Sequence, residues 1–192
     1  MGVSEVVVRA YREGLPALAT SAVGGLLAGI VLGGMRSELA AVPGLLVMVP
    51  ALLATRGNVY GSLGARLATA LHQGLVEPRL GTDDDRLLRA VAAAIASGLL
   101  ASAFAATAAY LVLGGLGRPR AALAVLVVIA LLSGLFSGAA LSATVVALVF
   151  AGYRRGYNPD TLVGPIVTTA GDVFGMAFLL LAVRIVLAVG GG

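Results

Sequence analysis

The sequence predicts an all-α integral membrane protein, and three observations carry that expectation. Of 192 residues, 59% are hydrophobic and 11% charged, whereas a soluble domain needs about 25% charged residues for its polar shell. Mean hydropathy is +1.03. The uncharged runs are long enough to cross a bilayer as helices, for which about 20 apolar residues suffice. The 27 glycines suit the close helix approach that drives association inside a membrane.

Five spans are expected from these runs. Before the first, residues 3–14 set Val3, Val6, Val7 and Ala10 against Glu5, Arg9, Arg12 and Glu13, the pattern of an amphipathic helix on the inner face. The first span, 15–35, is uncharged and Gly-rich. The second, 39–55, is short and interrupted by Pro43 and Pro50. Such spans are tolerated where they are buried or face a water-filled cavity, and they expose carbonyl oxygens. Residues 56–89 then form a cytosolic loop too short for an independent core. The third span covers about 90–114 and is Ala-rich. The fourth, 121–150, has 30 uncharged residues and must tilt, kink or leave the hydrocarbon. The fifth is 161–183, continuing past Arg184. The chain is therefore read as one transmembrane domain over residues 1–192.

All 13 basic residues are arginine, and their distribution gives orientation. With the N-terminus inside, inner segments hold nine arginines (9, 12, 56, 66, 79, 86, 89, 154 and 155) and outer ones three (36, 118 and 120). Basic residues favour the inner side, so the C-terminus is placed outside, with Arg184 snorkelling to the outer interface. The net charge of +4 is thereby explained by topology, and no nucleic-acid partner is expected. The N-terminal residues lack the basic-then-apolar order of a cleaved signal peptide.

One carboxylate stands out. Asp172 is twelfth of the 23 residues in 161–183 and the only charged one. An acid at mid-bilayer costs a few kcal/mol and is by default a functional residue on an ion or proton path. Thr168 and Thr169 lie at i−4 and i−3, Gly175 at i+3, and Gly164 and Pro165 further down that side, a small and polar stripe of the kind that lines a wet path. The plainer alternative is a protonated Asp hydrogen-bonded to a neighbouring helix. Ser133, Ser137, Thr144, Gly134 and Gly138 in the fourth span read as packing residues. In the run Thr82 to Asp85, Asp83 and Asp84 are possible cation sensors, although the pattern matches a helix N-cap with acids in its first turn. His72 has no His or Cys partner and reads as a surface residue.

No catalytic motif is present, so an enzyme is not expected. With no Cys and one His, the available ligands are carboxylate, hydroxyl, amide and carbonyl oxygens. That set favours Mg²⁺, Mn²⁺ or Ca²⁺ over Zn²⁺ or copper. No organic cofactor is implied.

Two stretches resemble a known family. Residues 48–74, with Pro50, Gly57, Asn58, Arg66, Leu67, Thr69 and Ala70, and residues 157–175, with Asn158, Pro159, Asp160 and Asp172, are similar to the MgtE-like membrane domain of MgtE magnesium channels and solute carrier family 41. The resemblance implies a two-fold homodimer, and the chain is read as a channel or transporter subunit of a prokaryotic plasma membrane. Its Mg²⁺ path would run along the dimer axis, between the second and fifth helices of each protomer. It implies Asp172 as the main ion ligand, with Thr168, Thr169 and Gly164 below it. Asn58, Gly57, Pro50, Pro43 and Gly175 would line the path. The family's cytosolic sensor domains are not expected from these 192 residues, so their gate is not implied. The competing expectation is a non-conducting membrane scaffold or accessory subunit, for which Asp172 is only a buried hydrogen-bond donor.

Overall fold

The computed structural model describes residues 3–78, 85–156 and 159–190, all helix and turn. Five long helices and one short one follow in order: α1 Val3–Gly34, α2 Arg36–Ala41, α3 Leu45–His72, α4 Asp85–Gly115, α5 Leu123–Arg154 and α6 Pro159–Gly190. Each long helix has 28 to 32 residues, or about 42–48 Å at 1.5 Å per residue, more than the ~30 Å hydrocarbon layer. Among the described residues α4, α5 and Val163–Gly190 of α6 are long and apolar enough to cross a membrane. The described apolar part of α1, Leu18–Gly34, is shorter, and α3 carries Arg56 in its middle.

The chain reverses between successive long helices. At one end of the bundle the Ala121 N–H donates to Pro43 O at 2.8 Å, tying the start of α5 to the start of α3. At the same end Arg184 of α6 pairs with Glu38 of α2. At the opposite end the Arg154 guanidinium donates to Pro78 O. Helix α6 is central and packs on α1, α3 and α5, while α3 also meets α4 and α5. Glycine makes several of these approaches possible. Gly64 of α3 lies against Val163, Gly24 of α1 against Thr169, and Gly98 of α4 and Gly138 of α5 against the Tyr60 ring.

Three element boundaries differ from the sequence expectation. Residues 3–14 are not a separate surface helix but the first turns of α1, since continuing the helix keeps every backbone group paired near lipid. The second span is split. Pro43, which has no N–H, and Gly44, at φ 96°, break the chain between α2 and α3. Helix α3 then runs through the expected start of the loop at residue 56 as far as His72, because Leu63, Leu67, Ala68 and Leu71 continue its buried face. Pro50 sits inside α3 and costs it one helical hydrogen bond.

Two apolar cores stack along the bundle. One joins Met48, Leu52, Ala105, Ile129, Ala130 and Met176; the other joins Tyr60, Ala94, Leu141, Val145, Val163 and Val167. Between them, at one height on four helices, lie Arg56 (α3), Ser102 (α4), Ser133 and Ser137 (α5) and Asp172 (α6). This polar layer lies between the two apolar cores.

Candidate functional site in the central polar layer

Asp172 occupies the fourteenth position of α6, about 20 Å from the start of that helix. It is half-buried. Thr168 and Gly164, one and two turns below it, are exposed. The three residues therefore form a stripe that opens on the surface of the protomer. The Thr168 hydroxyl donates to Gly164 O at 2.9 Å and the Thr169 hydroxyl to Pro165 O at 2.8 Å. Each hydroxyl spends its proton on its own helix and keeps its oxygen lone pairs free to face a cation or its water. Thr169 turns toward α1, where its methyl group meets Gly24, so it lies beside the open stripe rather than on it.

The other expected wall is placed by two contacts that fix the antiparallel register of α3 on α6. Val163 packs on Gly64, and Gly175 on Leu53 and Arg56. Interpolating between them puts Asp172 at the height of Gly57 and Asn58. Asn58 and Pro50 are exposed and Gly57 is half-buried. Pro43 is not brought to this height: it lies in the break before α3, about 20 Å along the helix from Gly57. Gly175 does not line an open path within the protomer, because it is buried beneath the side chains of Leu53 and Arg56. Asp83 and Asp84, and with them the Thr82 cap, lie outside the described residues. Asp85 opens α4 and pairs with Arg89 at 3.2 Å on the surface, a contact of small energy.

Arg56 is the functional candidate that sequence reasoning missed. Read as the first residue of a loop, it counted toward the inner arginines. It is instead 3% exposed in the middle of α3. Its Nη2 donates to Ser133 Oγ at 2.6 Å, and Ser133 in turn holds its place in α5 through Ser137, whose hydroxyl donates to Ser133 O at 2.6 Å. Arg56 Nε and Nη1 have no hydrogen-bond partner, and neither has the buried hydroxyl of Tyr60 one turn away. The signal was available: residues 57–65 are again uncharged, so a span read through the arginine places it centrally.

Among the described residues no three of His, Cys, Asp and Glu come together. In the polar layer, the described residues of one protomer offer a divalent cation the Asp172 carboxylate plus hydroxyl, amide and carbonyl oxygens. Such a donor set suits a hard ion that keeps most of its water, as Mg²⁺ does, and not a closed all-protein cage.

The profile of the MgtE family, divalent cation transporters, matches residues 49–182, which contain the whole polar layer. The chain belongs to the MgtE divalent cation transporter family. It is also 26% identical over 143 residues to solute carrier family 41 member 3 of the rat, Rattus norvegicus, covering 73% of this chain and 30% of that protein. The chain therefore spans less than a third of that relative. MgtE membership makes this a multi-pass membrane protein of a transporter family and not of an enzyme family. Magnesium transport fits that family.

Proposed function

We propose that this chain is the membrane unit of a Mg²⁺ channel or transporter of the plasma membrane in a prokaryotic cell. All five long helices cross the bilayer, with the N-terminus inside. Removing Arg56 from the nine inner arginines leaves eight against three outside, so the charge bias supporting that orientation stands. Two copies pair about a two-fold axis and share one path, lined by the Gly164–Thr168–Asp172 stripe of α6 and the Asn58 face of α3. The observation that carries this reading is the position of Asp172: mid-helix, partly open, and continuous with exposed Thr168 and Gly164. A dimer supplies two carboxylates, which offset the charge of a divalent ion where one does not. An inside-negative potential drives entry with about 4.6 kcal/mol for two charges crossing 100 mV.

The test is Mg²⁺ flux into liposomes under an imposed potential. Asp172→Asn preserves size and hydrogen bonding but removes two charges from the paired site. At an effective dielectric near 20 a unit charge pair at 4 Å is worth about 4 kcal/mol, so we expect the variant to fold and dimerise yet lose most flux. Asp172→Glu should retain part of it. Wild-type flux in the Asn variant would reject Asp172 as the ion ligand and favour the scaffold reading.

A further inference from the structure

The buried guanidinium of Arg56 takes no part in the function proposed above, yet it is the most costly group in the bundle to leave unpaired. An Arg keeps its charge in proteins. A buried cation with no counter-charge is strongly disfavoured, and intramembrane charges are found paired or facing water. In this structure Arg56 has only a neutral neighbour, the Ser133 hydroxyl, and its Nε and Nη1 are orphaned. Among the described acids only Asp172 shares its layer. Glu38 is engaged by Arg184 at one end of the bundle, and Asp85 lies at the other.

Arg56 also has a route to that acid. Nη1 lies against Gly175, so close that a Cβ there would sit 2.7 Å from it. Gly175 is one turn of α6 beyond Asp172, or about 4.5 Å of rise. The guanidinium thus packs on α6 one turn from Asp172, and no ion pair or hydrogen bond holds the Asp172 side chain elsewhere among the described residues.

We propose that Arg56 is a tethered counter-cation that competes with the transported ion for Asp172. It swings onto the carboxylate when the site is empty. It withdraws to its contacts with Ser133 and Gly175 when a divalent cation occupies Asp172. The arginine thus sets how much Mg²⁺ is needed to fill the site, and it prevents an unpaired carboxylate in an empty membrane site. This inference rests on the reading of Asp172 as the ion ligand.

The experiment uses the purified full chain and reads two quantities, the Mg²⁺ dependence of its melting temperature and of liposome flux. Arg56→Gln should lower the half-maximal Mg²⁺ concentration about tenfold, the equivalent of about 1.4 kcal/mol. Arg56→Lys should stay near the wild type. Ser133→Ala removes the withdrawn position and should shift the midpoint the opposite way, which keeps the test decisive if Arg56→Gln does not fold. In Mg²⁺-free melts, Arg56→Gln and Asp172→Asn should be non-additive, as for two groups in contact. An unshifted midpoint in folded Arg56→Gln, a Ser133→Ala shift to lower Mg²⁺, or additive melts would overturn the inference. If Asp172→Asn abolishes the Mg²⁺ response while Arg56→Gln leaves the midpoint alone, only the role of Arg56 falls. If Asp172→Asn responds to Mg²⁺ as the wild type does, the function reading itself falls.

Discussion

Glu38 and Arg184 form the ion pair that closes the end of the bundle, with Arg184 Nε donating to Glu38 Oε1 at 2.9 Å. Ser37 adds a hydroxyl donor at 2.8 Å. The arginine first, and the serine second, hold the Glu38 carboxyl below the usual carboxylate range. A carboxyl whose folded value is depressed contributes stability that is complete above its unfolded value and lost as pH falls through the folded one. Wild-type melting temperature should therefore exceed that of Glu38→Gln at neutral pH, and the two should converge as the solution becomes acidic. Parallel curves across that range would show that the pair contributes nothing. The sequence pattern places Arg184 at the outer interface; its partner Glu38 lies 146 residues away in sequence, which no local pattern announces.

The contacts between helices depend on where side chains are absent. Gly64 touches Val163, whose branched side chain has little rotamer freedom. Gly164 has open space around its missing Cβ within the protomer. Gly64→Ala should therefore force α3 from α6 and destabilise the protein by about 1–3 kcal/mol, as overpacking does. Gly164→Ala should be neutral or slightly stabilising, since Ala is the better helix former by about 1 kcal/mol. Detergent melts of both variants check this contrast, and equal effects would refute it. If Gly164 lines the path, its alanine variant should lower flux without lowering stability. The fourth-span glycines behave as their spacing suggested: Gly134 meets Ser102 and Gly138 meets Tyr60, which is packing. Ser133 goes beyond that role, because its hydroxyl receives Arg56.

At the scale of the whole molecule, the polar layer divides the interior into two apolar cores and exposes its acid on one flank. A two-fold partner set against that flank would bring two Asp172 stripes together, an isologous contact. The chain has no cysteine, so Thr168→Cys provides a single thiol. Oxidation of that variant should yield a covalent dimer, whereas a thiol on the exposed far side of α4, at Leu100, should not cross-link. A transport-active monomer by native mass measurement would defeat the dimeric path.

The sequence by itself determined that the protein is helical and lives in a membrane, because composition and uncharged runs of bilayer length leave few alternatives. It also determined that Asp172 is the acid to examine, because a lone charge in a 23-residue apolar run is visible without a fold. Helix boundaries were less legible: Arg56 ended a span on the hydropathy pattern, although α3 continues for 16 residues beyond it. Charge is a local signal, but the shelter that makes it tolerable comes from Ser133 on α5 and Gly175 on α6. Only the tertiary structure decided that Gly175 is covered, that Thr169 turns to α1, and that Arg56 and Asp172 share one layer. Those facts depend on the register between antiparallel helices, which is set by glycine contacts between residues more than 90 positions apart and not by the periodicity of either helix alone.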